Sequence, residues 1–181
     1  GGGDDARAAA RLVRVVAPTA DAALALAPFV DHHDRDVAIA VRWAIARSGG
    51  TAALAGRIDE LVTDDAAHAA RTLAVIGVLP HDDRYAVLHR SLADELDVAA
   101  RAALATLALA ADADLAVDAS RAIRSGDEQR IAHALESVEV RLGGRRSRLC
   151  LPVVDVRKPP AVRLAALRAG VDVPDLDLDA A

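Results

Sequence analysis

The chain has 181 residues, about a quarter of them alanine, and a formal net charge of −5 at pH 7. That length suffices for one domain with a sizeable core, and the acidic balance excludes a surface built for nucleic acid, which needs clustered basic residues. The single cysteine, Cys150, excludes an internal disulfide and points to an intracellular setting, and no apolar run reaches the roughly 18 residues of a membrane helix.

In chain order, residues 1–5 are expected to be disordered, and residues 6–170 to form one domain. Residues 7–16 predict a short amphipathic helix ending before Pro18. The chain starts Gly1-Gly2-Gly3 and contains no Met; together with this half-unit, that reads as a piece cut inside a repeat of a longer chain. Thr19 is a candidate N-cap for a helix over 21–30, bent by Pro28. His32-His33-Asp34 forms the turn, and a second helix runs over 35–47 until Ser48-Gly49-Gly50 stops it. Thr51 caps a helix to about Val62, and Asp64 or Asp65 opens the next, which ends at Leu79-Pro80. Asp82 or Asp83 starts a helix to about Ala93, followed by one over 95–110. Asp112 or Asp114 opens a helix closed at Ser125-Gly126. Asp127 caps a long helix to Leu142, ended by Gly143-Gly144. Residues 145–154 and 160–169 make a last pair, and V-D-V-P-D-L-D-L-D-A-A over 171–181 reads as an acidic tail or linker.

These elements recur at a fixed interval. A step of 31 residues from Val30 lands on Leu61, Leu92, Ile123 and Val154. The same step joins Ile45, Ile76, Leu107 and Val138, and joins Leu73, Leu104 and Leu135, with Arg42 as the mismatch one step earlier. Ala38, Ala69, Ala100, Ile131 and Val162 form a further row, and Asp34, Asp65 and Asp127 share a phase that Leu96 breaks. A unit of this size holds two helices of about 10–15 residues and two turns. One such hairpin cannot bury its own apolar face, so neighbours must stack. The predicted architecture is all-α: a right-handed α-α superhelix, a solenoid of about five helical hairpins, with Leu104 and Leu135 at the centre of the stack.

The stretch L-A-P-F-V-D-H-H-D-R-D-V-A-I-A-V-R-W-A-I-A (26–46) resembles a HEAT repeat. Pro28 stands for the family's first-helix proline, Asp34 or Asp36 for its turn aspartate, and Val41-Arg42 for its Val-Arg pair. The middle units depart from the pattern, with Asp59 and Arg90 where proline is expected. A narrower resemblance joins residues 122–138 and L-C-L-P-V-V-D to the HEAT segment of large bacterial membrane proteins. Those carry a major-facilitator or nucleotide-transporter-like domain, and often a cyclic-nucleotide-binding domain. The matching residues are Ser125-Gly126-Asp127, Ala134-Leu135-Glu136 and Leu151-Pro152. The resemblance implies a cytoplasmic, non-catalytic scaffold, the cytosolic part of a membrane protein. Its partner would be another protein or a neighbouring domain of the same chain, without nucleic acid, cofactor or membrane insertion of its own.

On that architecture His68, Arg71, Arg101, Arg130 and His133 fall on second helices, which usually line the concave face of a HEAT solenoid. They are the candidate binding stripe for an acidic partner or phosphate. Trp43 reads as core, and as a binding anchor if it faces the concave side. His32-His33-Asp34-Arg35-Asp36 and His81-Asp82-Asp83 carry metal-capable side chains but read as cap-rich turns, and no metal site is assigned. Cys150, between Leu149 and Leu151, reads as a buried small hydrophobe. No catalytic residue is assigned. The enzymatic alternative is a HEAT-fold enzyme, either like the DNA glycosylases or like the bilin lyases. The glycosylase resemblance would imply a basic groove with aromatic grips, and one Trp and one Tyr are too few for it.

Overall fold

The computed structural model describes Thr19, Asp21 and residues 25–176. The predicted helix at 7–16, the expected disorder of 1–5 and the end of the acidic tail at 177–181 lie outside the described residues. Every regular element among those described is helical. A 3-10 turn at Ala27–Phe29 precedes α1 (Arg35–Arg47). A second 3-10 segment, Gly50–Leu54, leads to α2 (Ile58–Val78), and a third, Asp83–Tyr85, to α3 (Ala86–Ala110). Then come α4 (Ala113–Ser125), α5 (Glu128–Leu142), α6 (Gly144–Val154) and α7 (Pro160–Arg168).

Local chemistry sets most of the boundaries. The Asp34, Asp112 and Asp127 carboxylates each accept two backbone N–H bonds from the first turn of α1, α4 and α5. Those donors have no partner within their own helix, so the cap satisfies groups that burial would strand. Gly126 closes α4 at φ +68°, a left-handed conformation that costs a residue with a Cβ about 1–2 kcal/mol. α6 carries Pro152 in its interior. Where its carbonyls run out of helical donors, buried Arg163 of α7 supplies them: Nε donates to Pro152 O at 2.7 Å and Nη2 to Val153 O at 2.7 Å.

Two expected turns are absent. Asp64 and Asp65 open no helix, because α2 runs unbroken from Ile58 to Val78. Likewise α3 runs through Asp94 from Ala86 to Ala110. The reason is spacing and composition. Ile58, Leu61, Val62, Ala66, Ala69, Ala70 and Leu73 keep a three-to-four-residue apolar stripe through Asp65. Between Ala86 and Ala110 there is no Gly or Pro to stop a helix. The units around these residues are therefore single long helices rather than hairpins.

The packing follows from that. Residues 102–109 of α3 are all buried, as are Ala99 and Ala100. A helix covered on every side sits at the centre of its fold, and its alanines let neighbours approach closely. α1, α2, α4 and α6 all pack on α3, while α5 packs on α4 and α6. α7 closes against α6 and against α2, which lies about a hundred residues earlier. A linear stack of hairpins would hold the second unit away from the fifth; here α2 touches both α6 and α7. Trp43 is half-buried against the cluster of Ile39, Ala102 and Ala105.

Candidate functional site

The polar residues with most structural investment lie where α1, α2 and α3 meet. At the bottom is a buried network. Arg42 of α1 donates from Nη1 to both oxygens of Asp65 on α2, at 3.0 and 2.8 Å, and to Thr106 Oγ1 on α3 at 2.8 Å. Its Nε donates to Val30 O at 2.7 Å, and the Thr106 hydroxyl donates to Asp65 Oδ2 at 2.7 Å. Arg42 is 5% exposed, Asp65 3% and Thr106 1%. Two opposite charges are thus out of water but paired and hydrogen-bonded, the condition under which burial is tolerable.

Above the network the same helices carry half-buried and exposed groups. Arg35 of α1 reaches to 3.9 Å from Asp65. His68, one helical turn after Asp65, places Nε2 2.7 Å from Glu95 Oε1 of α3, but without hydrogen-bond alignment. Burial holds the His68 imidazole below its ordinary value of 6.5; Arg35 and Arg71 push the same way, and Glu95 opposes them. At the rim Arg101 Nη1 donates to Asp36 at 3.0 Å and its Nε to Asp97 at 3.1 Å. Arg71 is exposed and, among the described residues, forms no ion pair.

The sense of the His68 shift fixes a pH dependence. An unfolded His68 takes up its proton near 6.5, while the folded one resists. Acid therefore favours the state that binds the extra proton. The stability contribution is fully present above that value and is lost as pH falls from it through the lowered folded value. Urea midpoints of the wild type at about pH 7.5 and pH 5.5 should differ more than those of H68N. Equal differences would remove His68 from the effect.

Of the five residues assigned to a stripe from sequence, His68 and Arg71 lie near each other on α2, while Arg101 of α3 turns to Asp36 of α1 and to Asp97. Arg130 and His133 sit on α5, which packs on α4 and α6. Arg130 pairs with Asp127 of its own first turn at 3.6 Å, and both side chains are exposed. Sequence reasoning missed Arg35, Arg42, Asp65, Glu95 and Thr106. The one signal for them was the 31-residue row of Leu73, Leu104 and Leu135, in which Arg42 stands out as the charged member.

Cys150 is buried as expected, with its thiol pushed up to about 12 by burial and by the Asp65 charge. With Asp65, Thr106, Leu149 and four other residues it lines a void of about 10 Å³ between α2, α3 and α6, room for one water at most. A thiol in that state is neither nucleophile nor ligand. Among the described residues no three His, Cys, Asp or Glu side chains are arranged to hold a metal ion. The imidazoles of His32 and His33 lie 4.1 Å apart, centroid to centroid, and those of His81 and His89 lie 5.0 Å apart. Among the described residues no helix is long and apolar enough to cross a membrane. No protein family model matches the chain, and none of the curated proteins or solved structures compared with it matches either.

Proposed function

We propose that the chain is a non-catalytic helical interaction domain, which holds another protein, or a neighbouring domain of its own chain, against the face of α1, α2 and α3. The observation that carries this reading is the rim of that face. Arg71 of α2 and Arg101 of α3 are both exposed, Arg101 shared with Asp36 and Asp97, and the helices that carry them are locked beneath by Arg42, Asp65 and Thr106. A rigid display of guanidinium groups suits an acidic segment, because arginine pairs carboxylates in a two-pronged geometry and loses little freedom in doing so. The HEAT-repeat origin and the place in a larger, transporter-linked chain are part of the proposal, and rest on the residues of 26–46 and 122–138.

The test is recovery of partners from cells that make the protein, using the full chain as bait. A partner that binds this face should fall about tenfold or more in recovery with R71E/R101E, the effect of losing about 1.4 kcal/mol of binding. It should be retained by R130E, which alters an exposed arginine on α5. Equal recovery by R71E/R101E and wild type would overturn the reading. Unchanged far-UV circular dichroism and thermal midpoint would establish that the variant is folded.

A further inference from the structure

Where the start of α1 meets the middle of α2, two guanidinium groups stand unspent beside one imidazole. The Arg35 side chain of α1 is 31% exposed, and its one ion-pair contact is Asp65 at 3.9 Å. That is too long for a hydrogen bond, and Asp65 already accepts two bonds from Arg42 and one from Thr106. The Arg71 side chain of α2 is exposed and forms neither a hydrogen bond nor an ion pair among the described residues.

These side chains share one electrostatic field. Burial holds the Arg35 guanidinium below its ordinary value, and the charges of Arg42 and Arg71 push the same way, against Asp65 and Glu95. His68, three residues before Arg71 on α2, is held down by burial and by both Arg35 and Arg71. Three cation-capable groups from two helices thus disfavour one another's charge. The acidic groups facing them are Asp65, committed to Arg42, and Glu95 of α3, whose Oε1 lies 2.7 Å from His68 Nε2 without hydrogen-bond alignment. Arg101 of α3 is spent on Asp36 and Asp97. An oxyanion answers this arrangement. Guanidinium groups present forked N–H donors that match phosphate oxygens, and they give up their weak hydration readily. Donors set on two helices suit a tetrahedral group, whose oxygens point in several directions, better than one flat carboxylate.

We propose that Arg35, His68 and Arg71 form a site for a phosphoryl group, in which anion binding and protonation of His68 reinforce each other. The inference rests on the reading of α1, α2 and α3 as a binding face, and gives its ligand a chemistry. Arg35 and Arg71 hold the anion from two helices. His68 is the sensor. Neutral, it leaves the two arginines to hold the anion. Protonated, it adds a third positive charge and keeps Glu95 engaged. By reciprocity, the anion raises the affinity of His68 for its proton by the factor by which the proton raises the affinity for the anion.

The experiment titrates the full chain with sulfate, a dianion across the pH range used, at an ionic strength of about 0.1 M held constant with chloride. Sulfate should bind roughly tenfold more tightly at about pH 5.5 than at about pH 7.5, the effect of one added unit charge beside a dianion in water-like surroundings. H68N should lose most of that difference. R35Q/R71Q should bind about tenfold more weakly or worse at both values, with unchanged far-UV circular dichroism, and R71Q alone, a change at an exposed residue, should weaken binding in the same direction. R101Q should bind as wild type does. Sulfate affinity indifferent to Arg35 and Arg71 would overturn the proposal, as would a pH effect of equal size in H68N and wild type. At about pH 7.5, a phosphoserine peptide that binds more tightly than inorganic phosphate would assign the group to a phosphorylated segment, and equal affinity would assign it to the free ion. No partner protein enters these titrations, so their failure would leave the interaction reading standing, and failed partner recovery would leave this site standing.

Discussion

Asp65→Ala is expected to cost about 3–5 kcal/mol of stability, read as a lowered urea midpoint by circular dichroism. The carboxylate accepts two hydrogen bonds from Arg42 and one from Thr106 in a site that is 3% exposed. Removing it leaves a guanidinium charged and out of water, with only Val30 O and the Thr106 hydroxyl as acceptors. The cost comes from the stranded charge rather than from the lost attraction, and a second variant separates the two. R42M/D65L/T106V removes every member of the network and fills its space with apolar atoms. Such replacements are often neutral or stabilising, so this protein should lie within about 2 kcal/mol of wild type or above it. A loss as large as that of the single variant would assign the effect to packing.

Leu107→Ala should cost about 2–5 kcal/mol, with an unchanged denaturant slope. Leu107 is 1% exposed on the enclosed half of α3. Leu88→Ala, on the other half of the same helix and 43% exposed, should fall within about 0.5 kcal/mol of wild type. Similar costs for the two would contradict the division of α3 into an enclosed and an open half.

How much of this was legible in the sequence depends on whether a signal was local. Asp34, read as part of the turn, proves to cap α1, and the α4 cap was narrowed to Asp112 or Asp114. The helical class, the span of α1 and the cap at Asp127 could be read directly, because a cap acts on residues two and three positions away. The fate of Asp65 could not. It shares its phase with two genuine caps, Asp34 and Asp127, yet its carboxylate is taken by an arginine 23 residues earlier and a threonine 41 residues later. Tertiary partners outbid the backbone, and the helix then propagates through. The periodic rows mark burial better than they mark architecture. Ile45, Leu107 and Val138 are buried as one row predicts, with Ile76 half-buried, and Leu73, Leu104 and Leu135 as another, while Val162 of a third row is exposed. A row of buried positions is equally compatible with stacked hairpins and with helices gathered round α3. The same ambiguity split the candidate stripe: His68 and Arg71 stay together on α2, while Arg101, Arg130 and His133 depend on α3 and α5, whose placement no local pattern encodes.

The central position of α3 bears on how the domain comes apart. In an array whose units touch only their neighbours, an end can melt while the middle persists, and shorter pieces stay folded. Here four helices from both ends of the chain pack on α3, whose residues 102–109 form an enclosed segment. Losing any of them uncovers that segment and weakens the hold of the other three. Such a domain opens as a single cooperative unit. Its boundaries cannot be trimmed inward one hairpin at a time, and a protease that cuts between α2 and α7 destroys the whole structure rather than releasing a stable half.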